Sequence, residues 1–266
     1  MQKRHYFLDE AGDPVFYGKG RRIIIGEQGV SSHFILGMVS FREDLHTIRT
    51  RILALQQEVL ASPYFEGIAS IEKKKAQYGY FFHATDDIPE IRKLFYDFIK
   101  TLDCSFEAVV AAKVPDAHCP AHGGNGSNEF YATLLSHLLH RHVPAAHRLV
   151  LNIARRAAST RHENLAAGLQ KAVLLFQADS PEVCITPDVV FNVQDQLDEP
   201  LLNIADYLCW SLQRVYEKGE KRFYHYVMDK FSMIIHLYHN GIPGGIRRLG
   251  QEELLTTGHK KSPSTT

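Results

Sequence analysis

Two adjacent carboxylates, Asp9 and Glu10, stand at the carboxyl end of the short apolar run Tyr6, Phe7, Leu8. Residues of this kind suit a buried strand, and Gly12, Asp13 and Pro14 are turn formers that end it. The pattern predicts a strand that carries acid out of a sheet edge. Successive strand side chains face opposite ways, so one acid is expected to face a site while the other sits behind it or in the turn; Asp9 is the expected inner one. A third acid, Asp206, lies at the edge of a helical apolar stripe made by Leu201, Ala205, Leu208, Leu212 and Val215. An unpartnered carboxylate there is costly, so Asp206 requires a partner or a metal ion. Carboxylates gathered from distant elements can hold Mg²⁺ or Mn²⁺, which activate water and stabilise a leaving oxygen when a phosphodiester is hydrolysed. The plainer reading of Asp9 and Glu10 is a strand end followed by an Asx turn.

Other residues bear on the same chemistry. His83, in FFHATDD, is either a proton shuttle near a site or a satisfied loop histidine. Lys113 ends an apolar strand pattern, where it neutralises a phosphate, orders the acids or is simply solvated. Arg155 and Arg156 follow another such pattern and could meet a backbone phosphate, whereas the run Lys73 to Lys75 reads as solvated surface. Asp195 and Asp198 flank a loop before the closing helix, a place where acids often serve only as caps. His118, Cys119 and His122, and separately His137 and His140, lack a second ligand pair at zinc spacing. Neither a GxxxxGKS phosphate loop nor a GxGxxG turn occurs, which sets nucleotide-cofactor chemistry aside.

The elements that must position these groups follow in order. After the first strand, Arg22 to Gly26 and His33 to Phe41 read as two more, giving an antiparallel three-strand start. Leu45, Ile48, Ile52, Leu55 and Val59 mark a helix that begins near the acids Glu43 and Asp44. The stretch from Ser62 to Gln77 has no apolar period and is expected to be an exposed excursion. A helix through Ile91, Phe95 and Leu102 follows, then a strand from Phe106 to Val114. Helices from Glu129 and from Arg161 to Phe176 alternate with strands at His147 to Ile153 and at Cys184 to Val193. The last strong helix runs from Glu199 to about Glu217. Alternating strands and helices after an antiparallel start predict an α/β fold with a mixed sheet and helices on both faces.

The 266 residues suit one large domain: residues 1–225, with a helical insertion around 62–102, and a C-terminal extension over 226–266 whose last residues are disordered. Lys plus Arg equals Asp plus Glu at 30 each, so any nucleic-acid contact must be local rather than a general basic coat. No apolar run approaches the roughly 20 residues that cross a bilayer, so no membrane partner and a cytoplasmic location are expected. Cys104, Cys119, Cys184 and Cys209 are widely spaced, which favours free thiols over a disulfide framework.

The motifs YFLDEAGDP at 6–14, FFHATD at 81–86, AVVAAKV at 108–114 and VQDQLDEPLLNIADYLCWSLQR at 193–214 resemble, in that order, the bacterial and phage family called domain of unknown function 3800. The resemblance implies a ribonuclease H-like fold and a metal-dependent nuclease acting on RNA or DNA, in phage defence or a mobile element. It implies a site built on Asp9, Glu10, Asp195 and Asp206, holding Mg²⁺ or Mn²⁺; the reading of the residues themselves adds Lys113, Arg155, His83 and Asn203 as candidates toward the substrate. Departures from the family's pattern are Ala11 for a serine, Asn203 for a glutamine, and Asn152 where many members carry an acid; the last weakens a second metal position. A non-catalytic nucleic-acid-binding or regulatory member of the same fold is therefore the alternative, with hydrolysis of a small phosphorylated compound a third reading.

Overall fold

The computed structural model of the chain describes residues 3–77, 79–115, 126–145, 147–156, 160–242 and 245–250. A mixed sheet of seven strands runs through it: β1 (Lys3–Ala11), β2 (His33–Phe41), β3 (Cys104–Ala112), β4 (Arg148–Ala154), β5 (Val189–Gln194), β6 (Phe231–Leu237) and β7 (Ile246–Gly250). Their order across the sheet is β5-β4-β1-β2-β3-β6-β7. β1, β2 and β3 form an antiparallel meander, whereas β4 lies parallel to β1, β5 to β4 and β6 to β3. The helices are α1 (Leu45–Ala61), α2 (Ala69–Gln77) and α3 (Pro89–Thr101) between β2 and β3, α4 (Gly126–Leu139) before β4, and α5 (His162–Asp179) before β5. Between β5 and β6 come α6 (Leu202–Lys218) and the short α7 (Arg222–Tyr226).

Strand alternation divides the core in two. Phe7, Ala11, Ile35 and Val39 face α1, α3 and α6 on one side, while Tyr6, Leu8, Phe34 and Leu36 face α4 and α5 on the other. The expected α/β fold with helices on both faces is therefore present. α6 is buried almost all round and lies across β1 and β2, with nearly every residue from Leu202 to Leu212 withdrawn from solvent. One glycine sets how closely it approaches. Gly37 pairs with Asp9 across β1 and β2, and a Cβ there would stand 2.2 Å from Phe106 Cζ and 2.8 Å from Cys209 Sγ. Gly219, with φ of 67°, ends α6 by turning its N–H back to Arg214 and Val215 carbonyls.

Three expectations are corrected and one is refined. Arg22 to Gly26 is not a strand: only a single bridge joins Tyr17 to Ile23, and positive φ at Gly12, Gly20, Gly26 and Gly29 keeps turning the loop. The third strand of the meander is β3, reached only after three helices. The stretch from Ser62 to Gln77 is mostly exposed, as expected, but α2 turns Ile71 and Lys74 inward, with Lys74 against Asp87 at 3.1 Å. The helical insertion also starts earlier than 62 and spans α1 to α3. Finally, the supposed extension after 226 contributes β6 and β7 to the same sheet; its end beyond Gly250 lies outside the described residues.

Candidate active site

The carboxyl ends of β1 and β4, the residues after β5, the 26–31 turn and one side of α6 enclose a cleft of about 1230 Å³ whose lining holds more carboxylates than cations. Asp9 and Asp206 both line it. Asp9 arrives on the last turnless stretch of β1, on the face shared with Phe7 and Ala11, and Asp206 arrives on α6, three residues before Cys209. Cys209 Sγ donates to the Asp9 carbonyl oxygen at 3.2 Å, which pins the helix to the strand at the level of the two acids. That contact requires the missing side chain of Gly37.

Both carboxylates are more than nine-tenths buried. Burial pushes the Asp9 pKa well above the ordinary carboxylate range, and the charge of Asp206 pushes it further. Burial likewise raises Asp206, against the pull of His83 and of the Ala84 N–H, which donates to Oδ2 at 2.7 Å. Asp9 Oδ1 accepts the Glu10 N–H at 2.8 Å, and Oδ2 accepts Gln196 Nε2 at 2.5 Å. His83 Nε2 stands 3.8 Å from Asp206 Oδ1, while its Nδ1 lies 3.1 Å from Asp86 without an aligned hydrogen bond.

Glu10 alternates to the face of β1 opposite Asp9, and it too lines the cleft. Arg156 Nε lies 2.8 Å from its Oε1, yet that oxygen accepts no hydrogen bond, so the contact is one of charge alone. Burial raises the Glu10 pKa to about 7 against that charge. Arg156 Nη2 is held by the Gly12 carbonyl at 2.7 Å.

The remaining expected residues divide. Asp195 is exposed at the rim and pairs with Arg155 at 3.2 Å; both line the cleft, but Asp195 does not join Asp9. Lys113 is no phosphate ligand: its side chain is fully buried and donates to Asp13 Oδ1 at 2.9 Å and to the Val15 carbonyl at 3.0 Å. It orders an acid instead, and Asp13 in turn accepts Ser31 N–H at 2.7 Å. Asn203 is also out of reach of substrate, with no exposed surface; its Nδ2 donates to the Gln196 carbonyl at 3.1 Å. Asn152 is buried in β4, donating to the Tyr6 carbonyl and accepting from Asn192. Its register partner is Phe7 and that of Ile153 is Leu8, so the β4 position beside Asp9 falls to Ala154.

No family model, no curated protein and no solved structure matches this chain. The site therefore rests on its own geometry. Among the described residues no group of three or more His, Cys, Asp or Glu side chains could hold a metal ion. What the cleft offers is two buried carboxylates on one face, plus the Gln196 amide, whose Oε1 would replace Nε2 on a half-turn of the side chain. Two hard oxygen donors suffice for Mg²⁺, which keeps most of its waters. Gln196 lies inside the 193–214 motif beside Asp195, but its residue type does not mark it as a partner of Asp9. Among the described residues His137 and His140 belong to no group of three that could hold a metal ion, and His140 Nε2 pairs with Asp179 at 3.0 Å. His118, Cys119 and His122 lie outside the described residues.

Beneath the site, a buried network holds the 81–87 turn. Lys74 Nζ donates to the Phe81 carbonyl at 2.9 Å and to Asp87 Oδ1 at 3.1 Å, and Asp87 Oδ2 accepts Tyr207 OH at 2.6 Å and the His83 N–H at 2.8 Å. Lys74 thereby aims Ala84 N–H at Asp206.

Proposed function

We propose that this chain is a Mg²⁺- or Mn²⁺-dependent nuclease of ribonuclease H-like fold that hydrolyses RNA or DNA. The observation that carries the reading is the meeting of Asp9 on β1 with Asp206 on α6 at one wall of a cleft, both raised in pKa by burial. Two such carboxylates ionise together only when a cation neutralises them. The strand order β3-β2-β1-β4-β5, antiparallel then parallel, supports the same fold that the sequence motifs imply.

Asp9 and Asp206 would hold one ion, with Gln196 orienting Asp9. Bound there, the ion would offset the negative oxygens of a phosphodiester and assist the attack of water. The excess of acid on the lining repels a polyanion when no cation is present. Arg155 at the rim would meet a flanking phosphate, and His83 would hold or move a proton at Nε2 beside Asp206. The purified chain should cleave labelled nucleic acid with Mn²⁺, and Asp9→Asn or Asp206→Asn should reduce cleavage by a factor on the order of 10² or more. Undiminished cleavage by either variant would end the proposal.

A second reading, a nucleic-acid-binding or regulatory member without catalysis, is favoured by Asn152 and by Ala154 beside Asp9, where a further acid would otherwise complete a second metal position. Calorimetry separates the two: strand binding with no uptake of Mn²⁺ supports the binding module.

A further inference from the structure

α6 lines the cleft from Asp206 to its end at Lys218. Asp206, Trp210, Gln213, Arg214, Glu217 and Lys218 all face it, at spacings of four, three, one, three and one. That is one continuous stripe of a helix. Twelve residues separate Asp206 from Lys218, a span of about 18 Å at about 1.5 Å per residue. The carboxylate pair stands at one end of this stripe, and the cations stand at the other.

The charges along the stripe are unequal in freedom. Glu217 is committed: its Oε1 accepts Ser32 N–H, Ser32 Oγ and His33 N–H at 2.8–2.9 Å. Arg214 shares Glu220 with Arg222, so two guanidinium groups face one carboxylate. Among the described residues Gln213 and Lys218 have no hydrogen-bond or ion-pair partner, and Lys218 is exposed. A small phosphate ester at Asp9 and Asp206 would leave all of these untouched.

Resting on the nuclease reading, we propose that α6 is a track for one single strand of nucleic acid, running from the carboxylate pair to a phosphate held by Lys218. At about 3.4 Å per stacked nucleotide, about 18 Å accommodates about five nucleotides. The substrate is then an oligonucleotide or polynucleotide rather than a small phosphorylated compound, and the bond cut lies several nucleotides from the end that rests on Lys218. Gln213 supplies an amide midway, suited to a sugar or base edge.

The test uses the full chain carrying Asp9→Asn, so that the strand stays intact, with Mg²⁺ present. Fluorescently labelled single strands, in a ladder from dinucleotide to decamer, report binding by anisotropy. Affinity should rise with length up to about five nucleotides and then level off. Adding Lys218→Gln should weaken the decamer, spare the dinucleotide and reduce the slope of log affinity against log salt by about 0.7, the loss of one single-strand phosphate contact. Gln213→Ala should also weaken the decamer and spare the dinucleotide. Affinity independent of length, an unchanged salt slope for Lys218→Gln, or a duplex that outcompetes the single strand would each overturn the track. Cleavage of the same ladder by the unmutated chain with Mn²⁺ separates the two claims. Cleavage blind to length removes the track alone, whereas length- and Lys218-dependent binding without cleavage removes the hydrolase and leaves the track.

Discussion

Glu10 gives the clearest quantitative test of how the site is charged. Its carboxyl lies behind β1, and burial carries its pKa from 4.5 to about 7 despite Arg156 at 2.8 Å. A folded pKa above the unfolded one means that the folded chain keeps the proton longer. The stability from this group is fully present below about pH 4.5 and is lost as pH rises through about 7. Each tenfold in proton affinity is worth about 1.4 kcal/mol, so the loss amounts to about 3 kcal/mol by pH 8. Glu10→Gln keeps the shape and removes the charge. The attraction of Arg156 is already contained in the pKa of about 7, so it is not subtracted again. The variant should therefore match the unmutated chain near pH 4.5 and exceed it by about 3 kcal/mol at pH 8. In a chain of this size that corresponds to a Tm gain of roughly 4–10 °C. Thermal melts followed by circular dichroism, in chelator at the two pH values, measure it directly. A variant less stable than the parent at pH 8 would refute the reasoning, because the Arg156 pair would then outweigh the cost of burial.

Two further substitutions probe how the site is positioned. Lys74→Met leaves Asp87 buried beside Tyr207 without its cation and should destabilise by about 3–5 kcal/mol in urea titrations, with Lys74→Met/Asp87→Leu recovering part of the loss. Gly37→Ala forces a methyl onto Phe106 and Cys209 and should destabilise by about 1–3 kcal/mol. By pushing α6 away from β1 it should also weaken Mn²⁺ uptake in calorimetry at temperatures where the variant is fully folded; uptake equal to that of the parent would show that the helix contact does not set the spacing of Asp9 and Asp206.

The residues that were legible in the sequence are those whose neighbours impose a regular period. Alternation along Tyr6 to Glu10 distinguishes Asp9 from Glu10, and the stripe of α6 marks Asp206 as an acid needing a partner. Elsewhere the period misleads. Ile23 to Ile25 has the composition of a strand, but glycines on both sides turn the chain too often for a ladder, and Ile23 is left 53% exposed. α2 has no apolar stripe because beside Ile71 its inward group is the ammonium of Lys74, satisfied by Asp87 and a carbonyl that the sequence does not show to be near. Asp195 drew attention as an acid, while its neighbour Gln196 makes the contact with Asp9; which of two consecutive turn residues points inward depends on the backbone of the turn, held here by Asn203.

The separation of Asp9 from Glu10 has a consequence for the whole site. Alternation turns Glu10 to the face of β1 opposite Asp9, although both line the cleft, so Glu10 acts on the site from the other side of the strand. What it does there is keep Arg156. That arginine follows β4 and lines the same cleft as Asp9 and Asp206, two buried carboxylates short of positive charge. With Glu10 at 2.8 Å and the Gly12 carbonyl at 2.7 Å, its guanidinium is engaged by groups other than Asp9 and Asp206, which leaves those two acids to an added cation. Glu10→Gln releases that hold. The variant should consequently bind Mn²⁺ more weakly than the parent even though it folds more stably at pH 8, and Glu10→Gln/Arg156→Gln should bind it better than Glu10→Gln alone. Equal Mn²⁺ affinity in the single and double variants would show that Arg156 never competes for the acids.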